Sequence, residues 1–318
     1  MMNLAEFKGL APAWAARLPA ILYFHENQFE YPSRNKRQRK QNEAFGFVNM
    51  IAASAADEIW FNSAFNRDSF LDHLEKYLKA RPDCQPLDIC RRLYDKSRIV
   101  YPGIYLPRKA GKQERQAGPL RIAWAARWEY DKGPEIFFAA LRKLKERKVP
   151  FRLRVLGEQF GRCPPVFDAA AAEFKNEIDA WGYEASREAY LNWLADSDLI
   201  VSTAIHEFFG ISILEGAACG AVPILPAKLS YPEIFAGCDG IFYDGTADGL
   251  REKLTEMARL LNDPDPSHWQ SIRRVARNTA YAYEWPKRIV EFDELFENEG
   301  GFAERLYRVR SEKRKTQK

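Results

Sequence analysis

The sequence predicts an α/β fold in which parallel, doubly wound sheets carry helices on both faces. Short apolar runs alternate with amphipathic segments along most of the 318 residues. Polar residues follow several of these runs, as expected where buried parallel strands end. The length is sufficient for two such domains. We interpret 1–107 as the N-terminal domain, 108–119 as a linker rich in Pro, Lys, Gly, Gln and Arg, and 120–318 as the C-terminal domain.

The N-terminal domain contains a short series of predicted elements. Strands are predicted at 20–25, 57–63 and 98–102, and helices at 36–56 and 64–80. The helices are identified by apolar residues recurring on one stripe. A complete doubly wound domain carries about six strands, so we expect this domain to be partial, with about two further strand–helix units upstream of Met1.

The C-terminal domain shows a longer alternation. Strands are predicted at 120–126, 151–157, 177–182, 198–203, 222–226 and 240–243. Helices are predicted at 133–148, 165–176, 186–196, 248–261 and 268–283, and another begins at Gly210. Ligands of such sheets bind beyond the carboxyl ends of the strands. His25, Arg127 and Glu207 follow predicted strands at positions of this kind.

Composition narrows the class of protein. No apolar run reaches the roughly 20 residues that span a bilayer, and no signal peptide is apparent. The five cysteines are scattered without a CxxC pair, and the four histidines are isolated. We therefore expect reduced cysteines, a cytoplasmic protein, no membrane partner and no metal site.

The net charge of +4 is unevenly distributed. One basic cluster lies at 34–40 and another in the tail at 305–318. Such clusters suit a polyanion such as nucleic acid. A solvated helix face and a frayed terminus are the structural alternatives.

The segment from His206 to Glu215 is the most informative part of the chain. Glu207 and Glu215 are eight positions apart, a buried strand precedes them, and Gly210 opens a helix. A helix N-terminus after a glycine turn favours an anion. The backbone N–H groups expected to bind it belong to Phe209, Gly210, Ile211 and Ser212. Glu215, about two turns into the helix, suits a sugar hydroxyl. The alternative is an ordinary strand–helix unit with two solvated carboxylates.

Two cations follow the first strand of the C-terminal domain. Arg127 and Lys132 are five positions apart, and Gly133 begins the next helix. Arg binds phosphate oxygens in a bidentate manner and Lys acts as a point charge, so the pair suits a diphosphate. The alternative is surface charge paired with Glu129 or Asp131.

These residues resemble a known family. The Arg127–Lys132 spacing, the segment 155–158 and the Glu207–Glu215 spacing are typical of retaining GT-B glycosyltransferases of family four. The segments 23–28, 31–32, 56–63 and 231–235 are similar to the tRNA-queuosine α-mannosyltransferases. The resemblance extends from about residue 3 to 285. It implies the GT-B fold, two Rossmann-like domains facing a cleft, with the N-terminal one incomplete.

The resemblance also implies an activity. Enzymes of this family transfer mannose from GDP-mannose to queuosine in the anticodon loop of tRNA of the aspartate type, with retained configuration and without metal or other cofactor. Arg127, Lys132 and the helix N-terminus would stabilise the diphosphate, and Glu207 would orient the donor sugar. Glu215 would hold the ribose. Gly157, Glu158 and Tyr183 would flank the base, and His25 would lie near the transferred sugar.

The acceptor would meet the N-terminal domain. The acceptor-binding residues implied are Glu26, Asn27, Gln28, Tyr31, Arg34, Lys36 and Arg37. Loop bases can stack on aromatic rings while Lys and Arg contact phosphates. The segment 231–233 is expected to be a turn beside the donor or a rigid structural loop.

Two alternatives remain open at this point. One is a related glycosyltransferase with another nucleotide-sugar donor, such as a UDP-sugar, and a saccharide, lipid or small-molecule acceptor. The other is a non-catalytic nucleotide- or RNA-binding remnant. The joint presence of His25, Arg127, Lys132, Glu207 and Glu215 weighs against the second.

Overall fold

The computed structural model describes residues 3–82, 85–106, 118–159 and 163–297. Its contacts divide the chain into two compact units. The first comprises Met1–Gly103 with Trp285–Lys318, and the second comprises Ile104–Glu284. Most of the predicted linker, the basic tail and Cys84 lie outside the described residues. The four described cysteines are free thiols, and no described helix is long and apolar enough to cross a bilayer.

The first unit contains a parallel three-stranded sheet. Its strands are β1 (Ile21–Phe24), β2 (Glu58–Phe61) and β3 (Ser97–Ile99), in the spatial order β1-β2-β3. Its helices are α1 (Leu4–Leu10), α2 (Ala13–Ala16), α3 (Lys36–Ala55), α4 (Ala64–Lys79) and α5 (Asp88–Asp95), followed much later by a helix at Trp285–Glu297. The three strands and both long helices confirm the predicted elements, whereas the short helices α1, α2 and α5 were not predicted.

Two caps explain where the long helices begin. The Asn35 side chain accepts a hydrogen bond from the Gln38 N–H, and the Ser63 hydroxyl accepts one from the Asn66 N–H. Such caps satisfy N–H groups that a helix N-terminus leaves without partners. The apolar face of α4 then packs on the sheet, where Phe24 and Phe61 stack with ring centroids 4.9 Å apart.

The helix Trp285–Glu297 corrects the predicted domain boundary. The sequence interpretation placed all residues after 120 in the C-terminal domain, but this helix belongs to the first unit. The ring centroid of Phe292 lies 5.7 Å from that of Trp60 and 6.2 Å from that of Tyr23. The apolar face of the helix therefore packs on the three-stranded sheet. Helical periodicity shows that such a face needs a partner but does not identify which sheet provides it.

The second unit contains a parallel six-stranded sheet. Its strands are β4 (Leu120–Ala125), β5 (Phe151–Leu156), β6 (Ile178–Gly182), β7 (Leu199–Val201), β8 (Val222–Pro226) and β9 (Phe242–Tyr243). The spatial order is β6-β5-β4-β7-β8-β9. Its helices are α6 (Pro134–Glu146), α7 (Val166–Glu173), α8 (Arg187–Ala195), α9 (Ile211–Cys219), α10 (Tyr231–Ile234), α11 (Ala247–Leu261) and α12 (Ser267–Ala282). All six predicted strands are present, and α10 replaces the turn expected at 231–233.

The strand order of the second unit determines where a ligand can bind. Strand β4 pairs with β5 on one side and with β7 on the other, so the winding direction reverses beside β4. In open α/β sheets, ligands bind at such a reversal, outside the carboxyl ends of the strands. The segments that follow β4, β5 and β7 therefore meet at the expected ligand site.

Candidate active site

A cavity of about 500 Å³ lies in the second unit at the carboxyl ends of β4 and β5. It brings together seven residues that the sequence predicted for donor binding or catalysis. They are Arg127, Lys132, Gly157, Glu207, Ile211, Ser212 and Glu215. Local patterns and the family resemblance predicted these residues separately along the chain, and the topology places them around one cavity.

Two glycines allow the backbone segments around this cavity to approach closely. A Cβ at Gly157 would lie 1.8 Å from the carbonyl oxygen of Ala126. Gly133 has a φ of 62°, and a Cβ there would lie 2.2 Å from the carbonyl oxygen of Thr203. Because a side chain at either position would clash with backbone, the segments after β4, β5 and β7 can converge only with glycine present.

Glu207 occupies the turn that precedes α9. Its Oε1 accepts hydrogen bonds from the backbone N–H groups of Phe208, Phe209 and Gly210, at 3.1, 3.4 and 3.2 Å. Lys132 Nζ lies 3.3 Å from its Oε2. Burial alone would raise the pKa of Glu207, but Lys132 and the N–H donors outweigh it and lower the pKa. Glu207 is therefore ionised and held in one orientation.

This arrangement corrects the prediction for the helix N-terminus. The sequence assigned the N–H groups of four consecutive residues to a bound phosphate, but Glu207 already accepts from those of Phe209 and Gly210. In the described part of the chain, the N–H groups of Ile211 and Ser212 form no hydrogen bond, and both residues line the cavity. Of the four backbone N–H groups predicted to bind an anion, these two remain available to it.

Lys132 is fixed from two directions. Its Nζ donates to the carbonyl oxygen of His206 at 2.9 Å, and its carbonyl oxygen accepts from the Thr203 hydroxyl at 2.9 Å. The Trp124 indole N–H in turn donates to Thr203 Oγ1 at 3.1 Å. The Lys132 side chain is only 11% exposed. Its ammonium group is thus pre-organised beside the cavity.

The ion pairs foreseen as the structural alternative also form. Arg127 lies 3.4 Å from Glu129, and Lys132 lies 3.5 Å from Asp131. These pairs do not withdraw the cations from the site, because both Arg127 and Lys132 line the cavity. The Arg127 side chain is 47% exposed, so its ion pair can exchange readily for a ligand oxygen.

Glu215 is not the solvated carboxylate of the alternative interpretation. Its side chain is 10% exposed and accepts from Arg187 at 2.8 Å and from the Tyr190 hydroxyl at 3.0 Å. Sequence reasoning missed both partners. They are three positions apart on α8 and so lie on one helix face, but that spacing alone does not show which element they meet.

The residues predicted to flank the base differ in position. Gly157 lines the cavity, whereas Glu158 and Tyr183 are exposed nearby and are not part of its lining. Backbone hydrogen bonds join Gly157 to Gly182 at 3.0 Å and Trp128 to Glu158 at 3.0 Å, which ties these segments to the strand ends. The roles of Glu158 and Tyr183 stay predictions.

His206, which precedes Glu207 in the chain, is buried. It is 4% exposed, and its Nδ1 lies 4.0 Å from Asp131 Oδ2. Burial, with Lys132 close by, lowers the pKa of His206 to about 4. The folded protein therefore holds this ring neutral at physiological pH.

Acid should weaken the fold through His206. The pKa of His206 is about 6.5 in the unfolded chain and about 4 in the folded protein. Above pH 6.5 the ring is therefore mostly neutral in both states, but between pH 6.5 and 4 only the unfolded chain takes up the proton. Lowering the pH from 7 to 5 should thus cost about 2 kcal/mol of unfolding free energy. Urea denaturation at both values should show this loss in the wild type and a correspondingly smaller one in His206→Asn. An equal loss in both proteins would contradict the assignment.

The first unit contains its own cavity of about 750 Å³ at the end of β1. His25, Glu26 and Gln28, three of the predicted acceptor-side residues, line it. Glu26 accepts from the Tyr31 hydroxyl at 2.8 Å and from the Gln28 amide at 3.2 Å. These polar groups are thereby joined in one network beside the His25 ring, which packs edge-on against Tyr23 at 4.6 Å.

Asn27 departs from its predicted role as an acceptor-binding residue. Its side chain is fully buried, and its amide donates to Asn66 Oδ1 at 2.9 Å and to Ser69 at 3.1 Å. The side-chain Oδ1 of Asn27 accepts from the backbone N–H of Glu30 at 3.0 Å. The side chain fixes the loop after β1 to α4, so it cannot reach an acceptor.

Arg34, Lys36 and Arg37 are exposed at the start of α3, outside the lining of the first unit's cavity. A further groove of about 430 Å³ lies between α3 and α4 and contains cations that sequence reasoning did not select. Arg81 stacks over the Tyr77 ring at 3.9 Å there, and Lys76 lies in the same lining. Lys76 and Arg81 are far along the chain from the basic cluster at 34–40, so the sequence alone did not show that they share a groove with Arg39.

Comparisons with known proteins agree with these features. Residues 1–104 match the family model "tRNA-queuosine alpha-mannosyltransferase N-terminal", and residues 107–278 match "Glycosyl transferases group 1". A tRNA-queuosine alpha-mannosyltransferase from Drosophila melanogaster is 35% identical over 269 residues, covering 82% of this chain and 70% of the relative.

More distant relatives extend the comparison. A GDP-mannose-dependent alpha-(1-6)-phosphatidylinositol dimannoside mannosyltransferase from Mycobacterium tuberculosis is 23% identical, covering 84% of this chain, which spans 64% of that relative's length. Among solved structures, Anabaena HepE in complex with UDP has a TM-score of 0.68 at 15% identity, covering 93% of this chain and 76% of that one. Sucrose-phosphate synthase from Thermosynechococcus elongatus has a TM-score of 0.65 at 15% identity, covering 87% and 67%.

The structural neighbours confirm the predicted GT-B fold, in agreement with the parallel sheets of both units. The group 1 glycosyltransferase match covers the unit that holds the 500 Å³ cavity. Together with the 35% identical relative, it shows that the protein is a hexosyltransferase. Taken with the N-terminal match and the 35% identity over most of its length, the chain belongs to the tRNA-queuosine α-mannosyltransferase family.

Proposed function

We propose that the protein transfers mannose from GDP-mannose to queuosine in the anticodon loop of tRNA, with retained configuration. The observation that carries the proposal is the convergence of Lys132, Glu207 and the N–H groups of Ile211 and Ser212 on one cavity at the switch point. The 35% identical relative named for this reaction supports the acceptor. Because that acceptor is a tRNA, we also propose a cytoplasmic location.

The proposed reaction exchanges one bond at the anomeric carbon for another. The bond from the mannose C1 to the diphosphate oxygen breaks, and a bond forms from C1 to a hydroxyl oxygen of the queuosine cyclopentenediol. The hydroxyl proton passes to the departing phosphate oxygen on the same face, so the configuration is retained. The protein then acts mainly by positioning and by stabilising the charge that builds on the diphosphate.

The residues of the cavity divide this work. Lys132, Arg127 and the N–H groups of Ile211 and Ser212 would stabilise the departing diphosphate. Glu207, ionised and held by its N–H donors, would accept hydrogen bonds from the mannose hydroxyls.

We propose that the reaction needs no metal, because Arg127, Lys132 and the N–H groups supply the positive charge. Addition of EDTA should leave the rate unchanged.

The donor is tested by a panel of nucleotide sugars. GDP-mannose, UDP-glucose and UDP-galactose would each be incubated with the protein and queuosine-containing tRNA, followed by mass spectrometry of the nucleosides. We expect the hexose to be added from GDP-mannose at a rate at least about tenfold above the others. A UDP-sugar as the preferred donor would overturn the GDP-mannose assignment while leaving the transferase activity in place.

The stereochemistry is tested on the product. Its digestion by an α-mannosidase, but not by a β-mannosidase, would establish that the configuration at the anomeric carbon is retained.

Charge reversal at Arg34, Lys36 and Arg37 should weaken tRNA binding and flatten its dependence on salt. The first turn of α3 holds no acidic residue, and cations there oppose the helix dipole, so helix stability does not explain them. Loss of three phosphate contacts should reduce the slope of log K against log salt by roughly two to three. Filter binding of tRNA at several salt concentrations measures this.

A matched control variant distinguishes tRNA binding at the start of α3 from a general effect of the protein's net charge. Lys79, Arg91 and Arg92 are also exposed in the first unit, and each pairs with a carboxylate four positions away. Reversal of these three should change the salt slope little. Equal effects of the two triple variants would show that net charge, rather than the start of α3, determines the affinity.

A further inference from the structure

Glu215 has one protein donor on each of its carboxylate oxygens. Arg187 donates to Oε1 at 2.8 Å, and the Tyr190 hydroxyl donates to Oε2 at 3.0 Å. Arg187 and Tyr190 are three positions apart on α8, so both lie on the face of that helix that meets α9. Two elements that are separate in sequence are thus joined at this carboxylate.

The arrangement leaves part of the carboxylate available. An ionised carboxylate has about four lone-pair sites, and these two bonds occupy one site on each oxygen. Glu215 and Tyr190 both line the 500 Å³ cavity. One acceptor site therefore remains on each oxygen, the number that two neighbouring hydroxyl groups require.

Arg187 has a second acceptor within the same unit. Besides Glu215, its guanidinium donates to the carbonyl oxygen of Tyr105 at 3.0 Å. Its hydrogen bond to Glu215 raises its already high pKa. Burial, together with the charge of Glu215, raises the pKa of the Tyr190 hydroxyl, which stays protonated and can only donate to the carboxylate. Both partners therefore keep the protons that they donate to Glu215 over the working pH range.

We infer that Arg187 and Tyr190 are positioning residues that orient Glu215 to accept both ribose hydroxyls of the nucleotide. The inference rests on the proposed function, in which the diphosphate of a nucleotide sugar occupies this cavity. Without Arg187 and Tyr190 the carboxylate could rotate, and the paired acceptance of the 2′ and 3′ hydroxyls would be lost. We therefore expect the wild type to bind a ribonucleotide more tightly than its dideoxy form, and variants at Arg187 or Tyr190 to lose this preference. General destabilisation of the protein would not change the ratio of the two affinities.

Calorimetric titration with matched nucleotides tests the inference. GDP and 2′,3′-dideoxy-GDP would be compared, and in parallel UDP and 2′,3′-dideoxy-UDP. The wild type should bind the ribonucleotide at least about tenfold more tightly, since hydrogen bonds to a charged acceptor are strong. Arg187→Met should bring the two affinities to within about threefold, and Tyr190→Phe should reduce the ratio by about threefold. Affinity for the dideoxynucleotide should not change.

Two further variants sharpen the comparison. Arg187→Lys keeps the charge and should restore part of the discrimination. Arg142→Met removes another exposed, carboxylate-paired arginine of the same unit and should leave the ratio as in the wild type. Equal weakening of both nucleotides by Arg187→Met would overturn the inference, as would tighter ribonucleotide binding, because Arg187 would then be a competitor of the ribose.

The parallel nucleotides separate this inference from the proposed function. Discrimination that appears with UDP but not GDP, and that Arg187→Met abolishes, would support the role of Arg187 while contradicting GDP-mannose as donor. A wild type that prefers GDP over its dideoxy form, together with variants that keep the full preference, would support the donor and overturn the inference. A wild type that does not distinguish ribose from dideoxyribose with either base would overturn both the ribose role of Glu215 and the inference.

Discussion

Replacing Glu207 by Gln is expected to lower kcat for mannose transfer by about 10³-fold, with little change in tRNA affinity. The amide keeps the size of the side chain and one oxygen for the N–H groups of Phe208, Phe209 and Gly210. It loses the charge that pairs with Lys132 and that strengthens hydrogen bonds to the donor sugar. Steady-state rates with saturating tRNA would measure the effect.

The matched control for Glu207 is Glu173→Gln. Glu173 is also a carboxylate in an ion pair of the second unit, with Arg142 at 2.7 Å, but it lies on the outer surface. Its substitution should leave kcat within about twofold of the wild type, as is usual for exposed pairs. A Glu207→Gln variant that retains more than a tenth of the wild-type kcat would refute the assigned role.

Replacing Lys132 by Met should lower kcat by about 10² to 10³-fold, because a fixed cation beside the departing diphosphate is removed. Lys132 also holds Glu207 and the carbonyl oxygen of His206, so the two groups act as a unit. Effects of such groups are not additive. The double variant with Glu207→Gln should therefore lose no more than about tenfold beyond the more impaired single variant.

Lys145→Met provides the corresponding control. Lys145 pairs with Glu177 at 2.8 Å on the exposed surface of the same unit. Its loss should affect neither kcat nor the interaction measured with Glu207→Gln. Fully multiplicative losses in the Lys132 and Glu207 double variant would mean that the two residues act independently, contrary to the geometry of the site.

The fold was largely predictable because its elements carry strong local signals. The strands β4, β7 and β8 of the second unit are almost entirely buried and consist mainly of apolar residues, which is typical of parallel sheets. The alternation of these strands with helices predicts a doubly wound parallel sheet, and ligands of such a sheet bind at the carboxyl ends of its strands. The location of Arg127, Lys132 and Glu207 around one cavity follows from that topology.

Features that depend on long-range packing could not be predicted in this way. The helix Trp285–Glu297 covers the three-stranded sheet, although its sequence neighbours belong to the second unit. Asn27 lies in a polar loop typical of binding sites, but its side-chain amide donates hydrogen bonds to Asn66 and Ser69 instead. Arg187 and Tyr190 reach Glu215 only because α8 packs beside α9. Each depends on a partner that local pattern does not reveal.

Transfer of mannose from GDP-mannose to queuosine is the central claim, and one experiment tests it most directly. The protein would be incubated with GDP-mannose and total tRNA from queuosine-containing cells, and the digested nucleosides would be analysed by mass spectrometry. We expect the queuosine peak to shift by the mass of one hexose with the wild type and to remain unshifted with Glu207→Gln. A queuosine peak that stays unshifted with the wild-type protein, while a different nucleoside or no nucleoside gains a hexose, would contradict the account.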